Sequence, residues 1–312
     1  MDKKTITIVG AYNIDLSLKG QRLPALGESV IADQFIEGAG GKGSNQAVTA
    51  ALFGADVKFV ARVGSDSYGQ YGLDMYKKLG ISTEFVTVDK TVHSGIAIIL
   101  IDNNGKNMIS VAPGANLKLC KEDIDRAGHV IEKSMLAGFQ FENDLDTVFY
   151  GLRMAHEKGV LTFLDPAPAR VISEDAYRHI DIIKPNETEA SIITGIKVDN
   201  ITSAESAGRW LVKRGIKTAI VTLGERGAVL VEGNTARHFP SPSVKAIDST
   251  GAGDIFSGVF MSALASGKAT AGAIEYATAA AALSTTRLGV IDSIPSPEEV
   301  GNFILKLERE KQ

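Results

Sequence analysis

The segment Asp248-Ser249-Thr250-Gly251-Ala252-Gly253-Asp254 runs straight into the apolar stretch Ile255-Phe256-Ser257-Gly258-Val259-Phe260-Met261. Two glycines just ahead of a helix let successive backbone N–H groups converge on one point. The helix N-terminus adds the positive end of its dipole there. The result is an anion cradle suited to a phosphoryl group. Asp254, in the first helical turn, would stand beside that anion and accept a proton from an attacking hydroxyl, which is what phosphoryl transfer to an alcohol requires. A first helical turn also favours aspartate for capping alone, so this reading stands beside a structural one.

Three further clusters carry polar chemistry. Gly38-Ala39-Gly40-Gly41-Lys42-Gly43-Ser44-Asn45-Gln46-Ala47 formally contains G-x-G-x-x-G. That dinucleotide fingerprint belongs after the first strand, however, and an acidic residue should close the next one; Ala61-Arg62-Val63 follows instead. A Walker A loop fails too, because glycine follows Lys42. What remains is a glycine-rich turn presenting a lysine and an asparagine to hydroxyl groups, or a tight loop with a solvated lysine. Asn13 and Asp15 lie two apart on an extended segment, so they share a face and could clamp a vicinal diol, or be solvated edge residues. In Lys184-Pro185-Asn186-Glu187-Thr188-Glu189, Asn186 and Glu189 suit a hydrated Mg²⁺ near phosphates, and equally a helix cap. His93, His129, His156, His179 and His238 show no metal-ligand spacing, and the G-x-S-x-G elbow of a hydrolase is missing.

The elements that must position these residues follow from periodicity. Strands are predicted at Thr5–Gly10, Val57–Val60, Ser134–Gly138, Val160–Leu164, Ile180–Lys184 and Thr218–Leu223. Helices are predicted at Ser44–Ala55, Asp66–Leu79 with Asp66 as N-cap, Lys121–Lys133, Leu145–Lys158, Glu187–Thr194, Ser203–Arg214, Gly253–Ser266 and Ala271–Arg287. Alternation of this kind implies a parallel sheet covered on both faces. Two segments break it. Residues 11–41 have no helical period, and two apolar runs flank Asn103-Asn104-Gly105, a hairpin signal. Together they predict a small second sheet, formed by insertions in the same chain.

Composition narrows the classes. The 312 residues hold 33 Lys plus Arg against 37 Asp plus Glu, a formal charge of −4, which is unlike a nucleic-acid binder. One cysteine, Cys120, allows no internal disulfide and suits a reducing cytosol. The first residues form no signal-peptide core, and no apolar run is long enough to span a membrane. The expectation is a cytoplasmic protein.

Taken together, Asn13-Ile14-Asp15, Gly40-Gly41-Lys42-Gly43-Ser44-Asn45-Gln46-Ala47, Lys184-Pro185-Asn186-Glu187-Thr188-Glu189 and Asp248-Ser249-Thr250-Gly251-Ala252-Gly253-Asp254 resemble the ribokinase branch of the phosphofructokinase-B-type sugar kinases. Asp165-Pro166-Ala167-Pro168-Ala169-Arg170 is similar to that branch as well. The resemblance covers essentially the whole chain. It implies a three-layer α/β/α domain with a mostly parallel sheet (residues 1–10, 42–92 and 113–312) and a small β lid (residues 11–41 and 93–112). It further implies an ATP-dependent kinase acting on the 5-hydroxyl of D-ribose, with deoxyribose, fructose or a nucleoside as alternative acceptors. By resemblance Asp254 is the base, and the N–H groups of Gly251, Ala252 and Gly253 form the anion hole. Asn13, Asp15, Gly41, Lys42, Asn45 and Glu142 would hold the sugar. Asn186, Thr222, Gly224, Arg226, Gly227, Gly253 and Thr278 would bind ATP, with Glu189 organising Mg²⁺. A K⁺ site would draw on Asp248, Thr250, Ser284, Arg287, Gly289 and Ser293, where Gly289-Val290-Ile291-Asp292-Ser293 replaces the commoner Gly-Ala-Gln-Pro-Ser. Pairing of two lids across their exposed sheet edges would make a homodimer.

Overall fold

Thr5–Val9 (β1) reads Thr-Ile-Thr-Ile-Val, and its side chains alternate between two separate cores, Ile6 and Ile8 on one side and Val9 on the other. The same split recurs in Phe163 against Leu164, Ile182 against Ile183 and Leu230 against Val231. A strand with apolar residues on both faces must lie between two helical layers. The computed structural model, which describes residues 5–103 and 105–310, has this three-layer α/β/α form.

The strands, numbered in chain order, are β1, Asn13–Lys19 (β2), Gln34–Gly40 (β3), Asp56–Gly64 (β4), Val86–Asp89 (β5), Gly95–Ile101 (β6), Asn107–Ala112 (β7), Leu136–Gln140 (β8), Leu161–Asp165 (β9), Ile182–Ile183 (β10), Thr218–Thr222 (β11), Ala228–Glu232 (β12) and Thr235–Phe239 (β13). The large sheet has the order β13-β12-β11-β10-β9-β8-β1-β4-β5. It is parallel from β5 to β11 and antiparallel at β12 and β13. The helices are Lys42–Leu52 (α1), Ser67–Lys78 (α2), Lys121–Arg126 (α3), Gly128–Lys133 (α4), Leu145–Glu157 (α5), Glu174–Tyr177 (α6), Glu187–Thr194 (α7), Ile201–Val212 (α8), Ala252–Ala265 (α9), Thr270–Ser284 (α10) and Pro297–Glu310 (α11). Helices α1, α9 and α10 contribute to one core, and α5, α7 and α8 to the other.

The small second sheet is present with the order β3-β2-β6-β7, parallel between β2 and β6 and antiparallel elsewhere. β6 and β7 form the expected hairpin; Asn104 lies outside the described residues. Several elements differ from expectation. Lys121–Lys133 is two short helices meeting at Ala127, where Gly128 weakens helical continuity. The β12–β13 hairpin and α11 were not predicted, although Gly233-Asn234 directly after the apolar run Ala228–Glu232 is a turn signal. β5, four residues long, was also missed. No helix among the described residues is long and apolar enough to cross a membrane.

Candidate active site

The carboxyl ends of the parallel strands converge with the N-termini of α1 and α9, the edge at which open α/β sheets bind ligands. Gln140 ends β8, Asp165 ends β9 and Lys184 follows β10. The start of α9 depends on Gly251, whose φ of 75° admits no ordinary side chain at low cost and which caps the helix without a side-chain hydrogen bond. Asp254 therefore does not act as the cap. Its carboxylate is buried and turned to α1, with Oδ2 accepting from Asn45 Nδ2 at 3.0 Å and Oδ1 from Gln46 Nε2 at 3.1 Å. Asp254 stands in the first turn of α9, and Gly251 takes the cap position.

The predicted hydroxyl-binding residues gather around the same carboxylate. The Lys42 backbone N–H donates to Glu142 Oε2 at 2.7 Å. The negative charge of Asp254, then of Asp165 and Glu142, holds the Lys42 ammonium firmly protonated against the cost of its burial. Burial and the charge of Asp254 push the Asp15 carboxyl up to about 6. Burial likewise pushes Glu142 up to about 7, with Lys42 pulling the other way. Asn13 is buried and its Oδ1 accepts from Asn116 Nδ2 at 2.8 Å. Asp15 packs against Gly40, where a Cβ would come within 2.2 Å of its Oδ2. Gly41, ahead of α1, is buried against the Ala11–Asn13 backbone. Asn45 Oδ1 is buried with no hydrogen-bond partner among the described residues.

The residues expected near a nucleotide lie one strand further along. Asn186 caps α7 and locks to Glu189 in a reciprocal box: Asn186 N and Nδ2 donate to Glu189 Oε2 and Oε1 at 2.8 and 2.9 Å, and Glu189 N donates back to Asn186 Oδ1 at 2.9 Å. The capping alternative is thus realised here. Burial, then the charge of Asp165, raises the proton affinity of Glu189. Thr222 bonds to the Pro185 carbonyl, and a short turn over Gly224–Arg226 follows it, closed by Gly227. The Arg226 guanidinium is engaged by Glu187 and the Asp199 carbonyl. Thr278 on α10 is buried with no partner for Oγ1 among the described residues.

Asp248 bridges two loops, accepting from Thr250 N at 2.9 Å and Gly289 N at 3.1 Å. Ser284 and Ser293 are buried and donate to Ala281 and Val290 carbonyls. The Arg287 side chain turns away to Glu299 on α11. No group of three or more His, Cys, Asp or Glu side chains among the described residues is placed to hold a metal ion. Four side chains received no role from the sequence: Gln46, Gln140, Asp165 and Ser257 form the buried polar floor under Asp254, joined by Lys184. A groove of about 430 Å³ on the outer side of α5, lined by residues such as Tyr150, Arg153 and Arg178, contains none of the predicted residues.

Comparison with known proteins identifies the family. The sequence model of the pfkB family carbohydrate kinases matches residues 3–297. The chain is 36% identical over 302 residues to ribokinase of Haemophilus influenzae, covering 97% of this chain and 99% of that protein. It is 35% identical over 300 residues to deoxyribokinase of Salmonella typhimurium, covering 96% and 98%. The structure of Arabidopsis thaliana ribokinase complexed with ribose and ATP superposes with a TM-score of 0.88 at 28% identity, covering 97% and 99%. The chain belongs to the pfkB family and is an ATP-dependent carbohydrate kinase.

Proposed function

We propose that this chain phosphorylates the 5-hydroxyl of D-ribose, giving ribose 5-phosphate by direct in-line transfer from ATP. One observation carries the reading: a buried aspartate in the first turn of α9, beside a charged lysine and an asparagine whose carbonyl oxygen is buried and unpartnered among the described residues. That orphan acceptor calls for a hydroxyl donor, since a buried unpaired oxygen costs about 1–3 kcal/mol. Asn13, Asp15, Gly41, Lys42, Asn45 and Glu142 hold the sugar. Asp254 takes the proton as the 5-hydroxyl attacks. The N–H groups of Gly251, Ala252 and Gly253 receive the charge developing on the transferring phosphoryl.

The Thr278 hydroxyl, unpartnered among the described residues, suits a nucleotide group, and Asn186, Thr222, Gly224, Arg226, Gly227 and Gly253 complete that side. Both Glu189 oxygens already accept from Asn186, so Glu189 fits a Mg²⁺ reached through water rather than directly. Mg²⁺ would neutralise the phosphate oxygens. The oxygen-rich junction of Asp248, Thr250, Ser284, Arg287, Gly289 and Ser293, two loops tied by one carboxylate, fits K⁺ beside the anion hole. Residues 11–41 and 93–112 act as the lid. Leu18, Phe35, Ile98 and Met108 share the face of the small sheet opposite Asn13 and Asp15, and each is at least 38% exposed. An apolar face of this kind supports a homodimer formed through the lid.

The equally similar deoxyribokinase favours a second reading, 2-deoxyribose as acceptor. A coupled ADP-release assay with D-ribose, 2-deoxy-D-ribose, D-fructose and nucleosides, with and without K⁺, separates the two. Ribose is expected to give the highest kcat/KM. A tenfold preference for deoxyribose or a nucleoside would overturn the proposal.

A further inference from the structure

Beneath the Asp254 carboxylate lies a run of buried polar side chains that the reaction as described leaves unused. Gln46, with no exposed surface, donates from Nε2 to Asp254 Oδ1 at 3.1 Å and to Asp165 Oδ2 at 2.9 Å. Its Oε1 accepts from Gln140 Nε2 at 2.8 Å. A side-chain amide has two N–H hydrogens, so both are committed, one to each carboxylate. Reversing the amide would set its oxygen against two carboxylates, which fixes its orientation. Asp165 Oδ2 also accepts from Lys184 Nζ at 2.8 Å and Ser257 Oγ at 3.1 Å. Lys184 Nζ reaches the Gly253 carbonyl at 3.2 Å, in the same helical turn as Asp254. The Asp165 and Lys184 side chains are 2% and 4% exposed.

We propose that Gln46 is a positioning residue for the base, and that the buried Asp165–Lys184 pair anchors it and balances the charge facing Asp254. The inference rests on the reading of Asp254 as the base. Two carboxylates share one amide nitrogen here. Without that donor they would face each other as uncompensated like charges. Lys184 pairs with Asp165, so removing Asp165 alone leaves an unbalanced cation one amide away from the base. Other charged groups face Asp254 as well. Lys42 on α1, Asp15 on β2 and Glu142 beyond β8 couple to it directly. Glu189 on α7 couples to Lys42 and Asp165. β1 and β8 contain no ionisable side chain, and on α10 Glu275 pairs with Arg237 while Tyr276 meets Phe53 edge to face. None of these is altered by the substitutions below.

The test is the pH dependence of kcat/KM, with sugar binding measured by calorimetry, in Gln46→Leu, Asp165→Asn and the double variant Asp165→Asn/Lys184→Met. Gln46→Leu is expected to move the acid limb up by about one pH unit and to lower kcat at neutral pH about 10–100-fold, with sugar Kd within about threefold. Asp165→Asn should move the limb down. The double variant, which removes both charges together, should return it to within about 0.3 unit of wild type; it carries the test if the single variant fails to fold. A uniform loss of kcat with an unmoved limb, or shifts of Gln46→Leu and Asp165→Asn in the same direction, would overturn the proposal. Asp254→Asn separates the two failures. Near-wild-type turnover there sinks the base assignment, whereas an inactive Asp254→Asn with unmoved limbs in the other variants sinks only the relay.

Discussion

Gly10 and Gly43 lie in backbone contact: a Cβ on Gly43 would come 2.6 Å from the Gly10 Cα and 2.7 Å from its carbonyl carbon. This contact seats the first turn of α1 directly on the end of β1, and so brings Asn45 and Gln46 to Asp254. Gly43→Ala must push the helix away from the strand. The expected cost is about 2–4 kcal/mol, or roughly 3–6 °C in Tm, with sugar affinity down at least tenfold. Thermal melts and calorimetry check this, and an unchanged Tm would show that the contact does not set the helix position.

Glu142 gives a pH-dependent signature. Its carboxyl lies at about 7 in the folded chain against an ordinary value of 4.5, so the folded state binds the proton more tightly than the unfolded chain. The destabilisation is therefore absent below about 4.5, grows as pH rises, and is complete above about 7. Glu142→Gln should raise the stability of the sugar-free protein at pH 8 by about 1–3 kcal/mol and leave it unchanged at pH 4.5. Melting curves across that range read the sign. Equal Tm differences at both pH values would contradict it.

The uncovered lid face makes a prediction about assembly. Phe35→Glu with Ile98→Asp places two charges on the face shared by Leu18, Phe35, Ile98 and Met108. Sedimentation equilibrium should give twice the chain mass for wild type and a single chain mass for the variant. A monomeric wild type at micromolar concentration would remove the basis for lid pairing.

The alternating core was legible in advance because parallel strands and their helices write their periods locally, as β1, β9 and α5 do. The irregular residues 11–41 and the hairpin around Gly105 likewise signalled the small sheet. The edge hairpin β12–β13 was missed because a half-exposed pair such as Thr235–Phe239 alternates only weakly with its polar neighbours. In the site, Asp254, Lys42 and Asn45 stood out by residue type and by their glycine-rich settings. Gln46, Asp165 and Lys184 did not, since a glutamine in an apolar helix and two charges at strand ends announce nothing singly. Only the pairing of β9 with β10, and the packing of α1 on α9, brings the three together.

The central claim is that Asp254 deprotonates the acceptor hydroxyl at the turn opening α9. Single-turnover phosphoryl transfer by Asp254→Asn, with sugar affinity measured on the same preparation, tests it most directly. The account expects transfer slowed by about 10²–10⁴ with sugar Kd changed less than about fivefold. Transfer within threefold of wild type, at unchanged sugar affinity, would contradict it.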